Sequence, residues 1–286
     1  MNPTDRRRRL RQQFASETCV QPASVFDAIS GRLADALGYE VGILGGSVAS
    51  TIVLGAPDVA VLTLSELRDQ VRRITRVSDI SLIVDADHGY GNALNVMRAV
   101  EELESAEISG LTIEDTNLPA QFGNADQETL ITLDEMIGKL KAALAARKDP
   151  ETMIIARTGA LRALGMEEAI RRINAFESIG VDAVLPINVK TSEQIQMIST
   201  ATNLPIMLGN TPADLTEKIL ASYGVHIVLR GHYTLLAAVK GIQDVLSNQI
   251  EGHGVERINN ILASANLMGV VNSTSNFRQW EEQFLN

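Results

Sequence analysis

Side chains of types that do chemistry gather in five short stretches, each closing an apolar run. They are Gly45-Gly46-Ser47, Asp85-Ala86-Asp87-His88-Gly89-Tyr90-Gly91-Asn92, Glu114-Asp115, Arg157-Thr158 and Arg230-Gly231-His232. Asp85, Asp87 and Glu114, with Asp115 as a further candidate, offer hard oxygen donors and almost no soft ones. Mg²⁺ suits that composition, because it keeps several waters and takes only one or two direct carboxylates. Zinc suits it poorly, since one cysteine and four scattered histidines make no Cys/His cluster. Arg157 can meet a carboxylate with a bidentate fork. Gly45-Gly46-Ser47 exposes backbone N–H groups and one hydroxyl without bulk, a fitting cradle for a carboxylate or enolate oxygen. Each feature alone has a plainer reading as a helix cap, a turn or a structural ion pair. Their convergence on groups compatible with one metal-bound anion favours a site. His226 opens an apolar run rather than closing one, and His253 has no motif, so both read as structural.

The elements that must position these groups alternate regularly. Apolar runs at 19–25, 41–44, 81–85, 110–114, 153–157, 183–187, 204–208 and 226–229 are near-continuous Val, Ile and Leu, as in parallel strands buried on both faces. Helical patterns lie between them. Thr63 with Glu66, Thr132 with Glu135 and Thr191 with Gln194 have capping-box spacing, and Thr211-Pro212 places a hydroxyl before a proline suited to a first helical position. Leu67/Val71/Ile74 and Met136/Leu140/Leu144 form apolar faces at helical spacing. Gly38, Gly180 and Gly224 sit where a left-handed residue ends a helix. Eight alternations without a linker favour a closed (β/α)8 TIM barrel, with an open doubly wound sheet as the alternative. One barrel domain over residues 1–286 is expected: the barrel at about 18–249, its eighth helix at 233–249, and a C-terminal helical extension from 250 onward.

Composition narrows the partners. A net charge of −10 over 286 residues repels nucleic-acid phosphates and anionic lipid, so neither is an expected partner. An anionic substrate therefore needs a local positive centre. Cys19 is the only thiol, which excludes an internal disulfide and suits a cytoplasmic protein. No apolar run spans a bilayer. Arg6, Arg7, Arg8 and Arg9 are followed by no apolar segment, so the start does not read as a secretory signal, and the cluster is expected on the solvated face of a first helix.

The ordered set Gly45-Gly46-Ser47, Asp85-Ala86-Asp87-His88-Gly89-Tyr90-Gly91-Asn92, Ile113-Glu114-Asp115 and Ile155-Ala156-Arg157-Thr158 resembles the phosphoenolpyruvate mutase/isocitrate lyase superfamily over about residues 23–242. The resemblance implies a Mg²⁺-dependent barrel acting on an α-oxo or α-hydroxy carboxylate, in a homotetramer (a dimer of dimers) that exchanges the eighth helix between subunits. By the same resemblance, Asp85 binds the metal directly while Asp87 and Glu114 hold its waters. Gly46 and Ser47 bind the substrate's carboxylate end, Arg157 binds a carboxylate or carbonyl oxygen, and Asp58 lies near the reacting centre.

One departure sharpens the expectation. The carbon–carbon lyases of this superfamily follow Ile-Glu-Asp with a mobile loop bearing Lys-x-Cys-Gly, whereas residues 116–123 here contain neither lysine nor cysteine. The segment Pro119-Ala120-Gln121-Phe122-Gly123 and the pair Gly231-His232 instead resemble the oxaloacetate decarboxylase branch, in which that histidine contacts substrate. That branch can carry a tyrosine after the seventh strand, where this chain has Leu208-Gly209-Asn210-Thr211. The expected reaction is Mg²⁺-dependent (Mn²⁺ substituting) loss of CO₂ from oxaloacetate, a small 2-oxo dicarboxylate, through a metal-stabilised enolate. The alternatives are a C–C or P–C bond lyase or hydrolase on a related acid and, from another class, a non-catalytic metal-binding barrel serving as an assembly subunit.

Overall fold

The computed structural model describes residues 1–120, 122–123 and 129–286; Gln121, part of the segment singled out above, lies outside the described residues. Among the described residues, eight parallel strands follow one another around a single sheet. They are β1 (Ala23–Ser24), β2 (Val41–Leu44), β3 (Ser81–Asp85), β4 (Gly110–Glu114), β5 (Met153–Thr158), β6 (Ala183–Pro186), β7 (Ile206–Gly209) and β8 (Val225–Leu229). Val20, just ahead of β1, bridges Ile227 of β8 in parallel, so the sheet returns to its own start. A doubly wound sheet reverses its strand order part-way; this one never does, and the (β/α)8 barrel is the architecture. The first strand is shorter than its apolar run because Pro22 has no N–H to give to the ladder.

Alternation along the strands divides the core. Val41, Ile43, Ile83, Met153, Ile155, Ala183, Leu185, Met207 and Ile227 form one cluster inside the barrel. Their neighbours Leu44, Leu82, Val84, Leu111, Ile113, Ile154 and Ala156 pack outward with the helices. Successive side chains of a strand point to opposite faces, so the inward series on β3 is Ser81, Ile83, Asp85, on β4 it is Gly110, Thr112, Glu114, and on β5 it is Met153, Ile155, Arg157. The polar groups are thus the last inward residues of their strands. Parallel register sets Glu114 beside Arg157 and Asp85 beside Thr112.

The other end of the barrel is closed by α1 (Pro3–Phe14), whose Leu10 and Phe14 join the inner cluster. Burying two such side chains contributes about 1.5–3 kcal/mol each. The arginines of this helix correct an expectation. Arg6 and Arg7 are buried rather than solvated: Arg6 donates to the carbonyls of Thr75 and Ser78 and pairs with Glu107 at 2.6 Å. Arg7 donates to the carbonyls of Glu104 and Ile108 and pairs with Asp149 at 2.7 Å. The guanidinium groups satisfy carbonyls that helix and strand ends leave unpaired.

The surrounding helices are α2 (Ala28–Ala36), α3 (Gly46–Leu54), α4 (Leu64–Thr75), α5 (Ala93–Ser105), α6 (Leu133–Ala146), α7 (Ala160–Ala163), α8 (Met166–Ser178), α9 (Ser192–Ala201), α10 (Glu217–Ala221) and α11 (Tyr233–Ile250). Thr63 and Thr191 form reciprocal capping boxes, whereas Thr132 accepts from Glu135 N without a return bond. Thr211-Pro212 does not start a helix. Thr216 caps α10 instead, because Arg230 donates to the carbonyls of Pro212 and Leu215 and holds that segment as a loop. Gly38, Gly180 and Gly224 all have positive φ at helix ends. Beyond α11 the chain continues through a 3₁₀ turn, α12 (Ala265–Val271) and α13 (Thr274–Phe284), the expected helical extension.

Candidate active site

The carboxyl ends of β2, β3, β4, β5 and β8 bring the predicted groups to one place. Asp85 ends β3 as a hub. Its Oδ2 accepts from Arg157 Nη1 at 2.6 Å and from the Gly46 N–H at 3.5 Å, and its Oδ1 accepts from Thr112 Oγ1 at 2.9 Å and the Asp87 N–H at 3.3 Å. Arg157 also reaches Glu114 Oε2 at 3.2 Å, so one guanidinium spans two carboxylates. Thr116 Oγ1 donates to the same Glu114 oxygen at 2.9 Å. Asp87 follows in a tight turn with φ +46°, closed by a Gly89 N–H to Ala86 carbonyl bond of 2.8 Å. A Cβ on Gly46 would lie 2.5 Å from Asp87 Oδ1, so the first residue of α3 must be bare for that carboxylate to fit.

Burial and like charge set the electrostatics. Burial, then the charges of Asp85, Asp58 and Glu114, push the Asp87 carboxyl up to about 8. Burial likewise raises Glu114, against Arg157. Asp85 is different: although burial opposes its ionisation, Arg157, Thr112 and Gly46 hold it below its ordinary value. Asp58, in the loop after α3, has its carboxyl raised, by partial burial first and then by Asp85, against Arg157. A group of crowded carboxylates with one cation among them is an incomplete charge balance, which a further hard cation would complete. Every candidate donor is an oxygen. Among the described residues no three or more His, Cys, Asp or Glu side chains form a ready metal cage, and a divalent ion that keeps its own waters needs none. The donor set therefore fits a hard divalent cation.

His232 arrives from the end of β8. Its Nδ1 lies 2.7 Å from Ser24 Oγ, and its Cε1–Nε2 edge faces Gly45, where a Cβ would stand 2.7 Å from either atom. Burial lowers its pKa, so the ring is neutral at pH 7. Ser47 is exposed at the start of α3, behind Gly45 and Gly46.

One candidate falls away. Asp115 is fully buried but turned from the cluster: it accepts from Thr158 Oγ1 at 2.6 Å, the Gly159 N–H at 3.0 Å and Arg172 Nη1 at 2.9 Å. Those partners use its lone pairs, so it ties β4 to β5 and α8 and offers nothing to a metal. Four residues had no assigned role and belong here: Ser24, Thr112, Tyr90 and Lys139. The Tyr90 hydroxyl is buried with no hydrogen-bond partner among the described residues, and its pKa is raised by burial and by Asp87, Asp85 and Asp58. Lys139 Nζ, buried on α6, donates to the His88 carbonyl at 3.0 Å and so braces the turn that carries Asp87. His226, at the opposite end of β8 beside Phe14, is structural as expected.

A family model described as phosphoenolpyruvate phosphomutase matches residues 10–250. The chain belongs to that family, within the phosphoenolpyruvate mutase/isocitrate lyase superfamily. It is 48% identical to an oxaloacetate decarboxylase of Rhodopseudomonas palustris, over 98% of this chain and 97% of that one. Among solved structures it is similar to a phosphonopyruvate hydrolase in complex with oxalate and Mg²⁺, at 30% identity and TM-score 0.86 over 98% of this chain and 99% of the other. It is also similar to an oxaloacetate acetylhydrolase in complex with the inhibitor 3,3-difluorooxalacetate, at 26% identity and TM-score 0.88, covering 99% and 98%.

Proposed function

We propose that this chain is a carboxy-lyase that converts oxaloacetate to pyruvate and CO₂ with Mg²⁺, for which Mn²⁺ can substitute. The observation that carries the reading is the pairing of His232, held between Ser24 and Gly45, with the Asp85–Arg157–Glu114 cluster in a chain whose only thiol packs outside the barrel's interior. Cys19 is buried outside the barrel's inner cluster, packed with Leu215, Leu220 and Val228, and burial and then Glu217 raise its pKa to about 12. Cleavage by a catalytic thiol therefore has no agent here. The share of sequence held in common with a protein named oxaloacetate decarboxylase supports the same choice.

Asp85 would hold the metal, with Asp87 and Glu114 oriented toward its waters. When bound, the metal supplies Lewis-acid stabilisation of charge developing on the substrate's C2 oxygen. The chain's own residues do the rest. The Gly46 and Ser47 N–H groups at the start of α3 receive a substrate carboxylate. As the C3–C4 bond breaks and CO₂ departs, its electron pair moves into the C2–C3 bond and charge passes to the C2 oxygen, which Arg157 stabilises as a fixed cation that needs no reorganisation. A proton then adds to C3, completing pyruvate. Neutral His232 contacts the substrate from the β8 side, and Asp58 lies near the reacting centre.

The deciding assay offers oxaloacetate, methylisocitrate and phosphonopyruvate with and without Mg²⁺, each against a protein-free blank, and measures pyruvate, glyoxylate and phosphate. Metal-dependent pyruvate from oxaloacetate is expected, with a large loss in His232→Ala. Faster glyoxylate or phosphate release would assign one of the neighbouring lyase or hydrolase activities instead. No turnover of any of them would favour a metal-binding assembly subunit.

We further propose one barrel domain with its helical extension, assembled as a homotetramer (a dimer of dimers) in which α11 is exchanged. Tyr233, Leu236, Val239, Ile242, Leu246 and Ile250 of that helix are all exposed, a recurring apolar stripe that a second copy would bury. A stable, active monomer in light scattering at micromolar concentration would overturn this. No helix among the described residues is long and apolar enough to cross a membrane, and the lone reduced thiol supports a cytoplasmic setting.

A further inference from the structure

Ser24 is the last residue of β1 and is buried. Its backbone carbonyl accepts from Thr234 Oγ1 at 2.6 Å, which staples the strand end to the first turn of α11. Among the described residues its hydroxyl has one partner, His232 Nδ1 at 2.7 Å. The far edge of the same ring lies over Gly45, where even a methyl carbon would approach Nε2 to 2.7 Å. The imidazole is therefore held at one nitrogen, with the edge that carries the other against Gly45.

A neutral imidazole carries one N–H, and the partner of one nitrogen decides the state of the other. A serine hydroxyl can serve in either sense. If it accepted from Nδ1–H, its own proton would need a second acceptor, and none stands beside this buried hydroxyl among the described residues. An unsatisfied buried donor is costly. If it donates to Nδ1, its proton is satisfied and the ring hydrogen is on Nε2. That state also matches the ligand chemistry: a 2-oxo diacid presents acceptor oxygens, which attract an N–H and repel a bare lone pair.

We propose that Ser24 is a positioning residue that locks His232 in the Nε2–H tautomer, so that His232 meets the substrate as a hydrogen-bond donor over Gly45 rather than as a base. The inference rests on the reading of His232 as the substrate-contacting histidine of a decarboxylase.

Its test reads the ring directly. In the full-length protein labelled with ¹⁵N-histidine, long-range ¹H–¹⁵N correlation at neutral pH separates the two tautomers, and His232→Gln assigns the resonance among four histidines. The wild type is expected to show His232 in the Nε2–H form. Ser24→Ala should shift it to a mixture and lower kcat/KM for oxaloacetate about tenfold, and Ser24→Thr, which keeps the hydroxyl, should restore both. An Nδ1–H pattern in the wild type would overturn the proposal without any variant, and so would a folded Ser24→Ala with an unchanged tautomer. Absence of oxaloacetate turnover in the wild type would overturn the functional reading and leave the tautomer result legible.

Discussion

Replacing Gly46 by alanine tests whether Asp87 belongs to the metal's surroundings. The new Cβ would start 2.5 Å from Asp87 Oδ1, against the 3.4 Å at which ordinary contact begins, so the carboxylate must retreat by about 0.9 Å. It cannot do so by sliding its backbone. Asp87 O accepts from Glu114 N at 2.8 Å, and the turn is closed by Gly89 N to Ala86 O at 2.8 Å. Side-chain rotation is what remains, and it turns the carboxylate away from its partners. Displacing a group that orients a metal's ligands or waters costs about 10–100-fold in affinity, or about 1.4–2.7 kcal/mol. The fold itself should hold. Gly46 opens α3 with ordinary helical backbone, so the helix itself accepts alanine, and the gain of about 0.4–1 kcal/mol from a restricted unfolded chain offsets part of the cost of turning Asp87. The variant should thus stay folded and melt near the wild-type temperature while calorimetric titration with Mg²⁺ alone gives a Kd raised 10–100-fold. A folded Gly46→Ala with wild-type Mg²⁺ affinity would refute the reasoning and remove Asp87 from the site.

The other expectations are briefer. Asp85→Ala should lose Mg²⁺ binding more completely than Asp87→Ala by the same titration, since only Asp85 is placed as a direct ligand; equal losses would contradict that division. Cys19→Ser should keep wild-type turnover, and the buried thiol, raised to about 12, should react with iodoacetamide at pH 8 only on unfolding. Burial lowers His226 below its ordinary value of 6.5, so protonation favours the unfolded chain: stability is full above pH 6.5 and falls as pH drops below it. Urea midpoints at pH 7.5 and 5.5 should show that slope reduced in His226→Gln, and an unchanged slope would exclude His226 as a source.

The parts of this molecule that were legible are those governed by local period. Strand ends, helix-stopping glycines and the order of the polar clusters follow from the chain's alternation, and a parallel barrel turns that order into one site. Arg6 and Arg7 were illegible for a physical reason. Their partners, the carbonyls at Thr75, Ser78, Glu104 and Ile108, are about a hundred residues away in sequence or less, and nothing near an arginine run distinguishes such carbonyls from water. Lys139 hides in the same way, on an apolar helix face where a lysine is read as snorkelling outward, because its acceptor is a backbone oxygen on another element.

Asp115 is the more instructive error, because the information was present. Residues of a strand alternate between faces, so if Glu114 ends the inward series, Asp115 continues the outward one. The structure obeys that parity: Glu114 meets Arg157 inside, and Asp115 meets Thr158, Gly159 and Arg172 outside. The same rule recovers Ser24. Ile43 of β2 faces inward and pairs in register with Ser24 of β1, so a polar residue closing the shortest strand stood at the rim of the same interior. Two acidic or polar neighbours in sequence are thus separate functions in space, one toward the substrate and one toward the scaffold. The scaffold member is what keeps the other in place: Asp115 bonds both the hydroxyl of Thr158 and the N–H of Gly159, the residues that follow Arg157, and so fixes where that guanidinium leaves its strand.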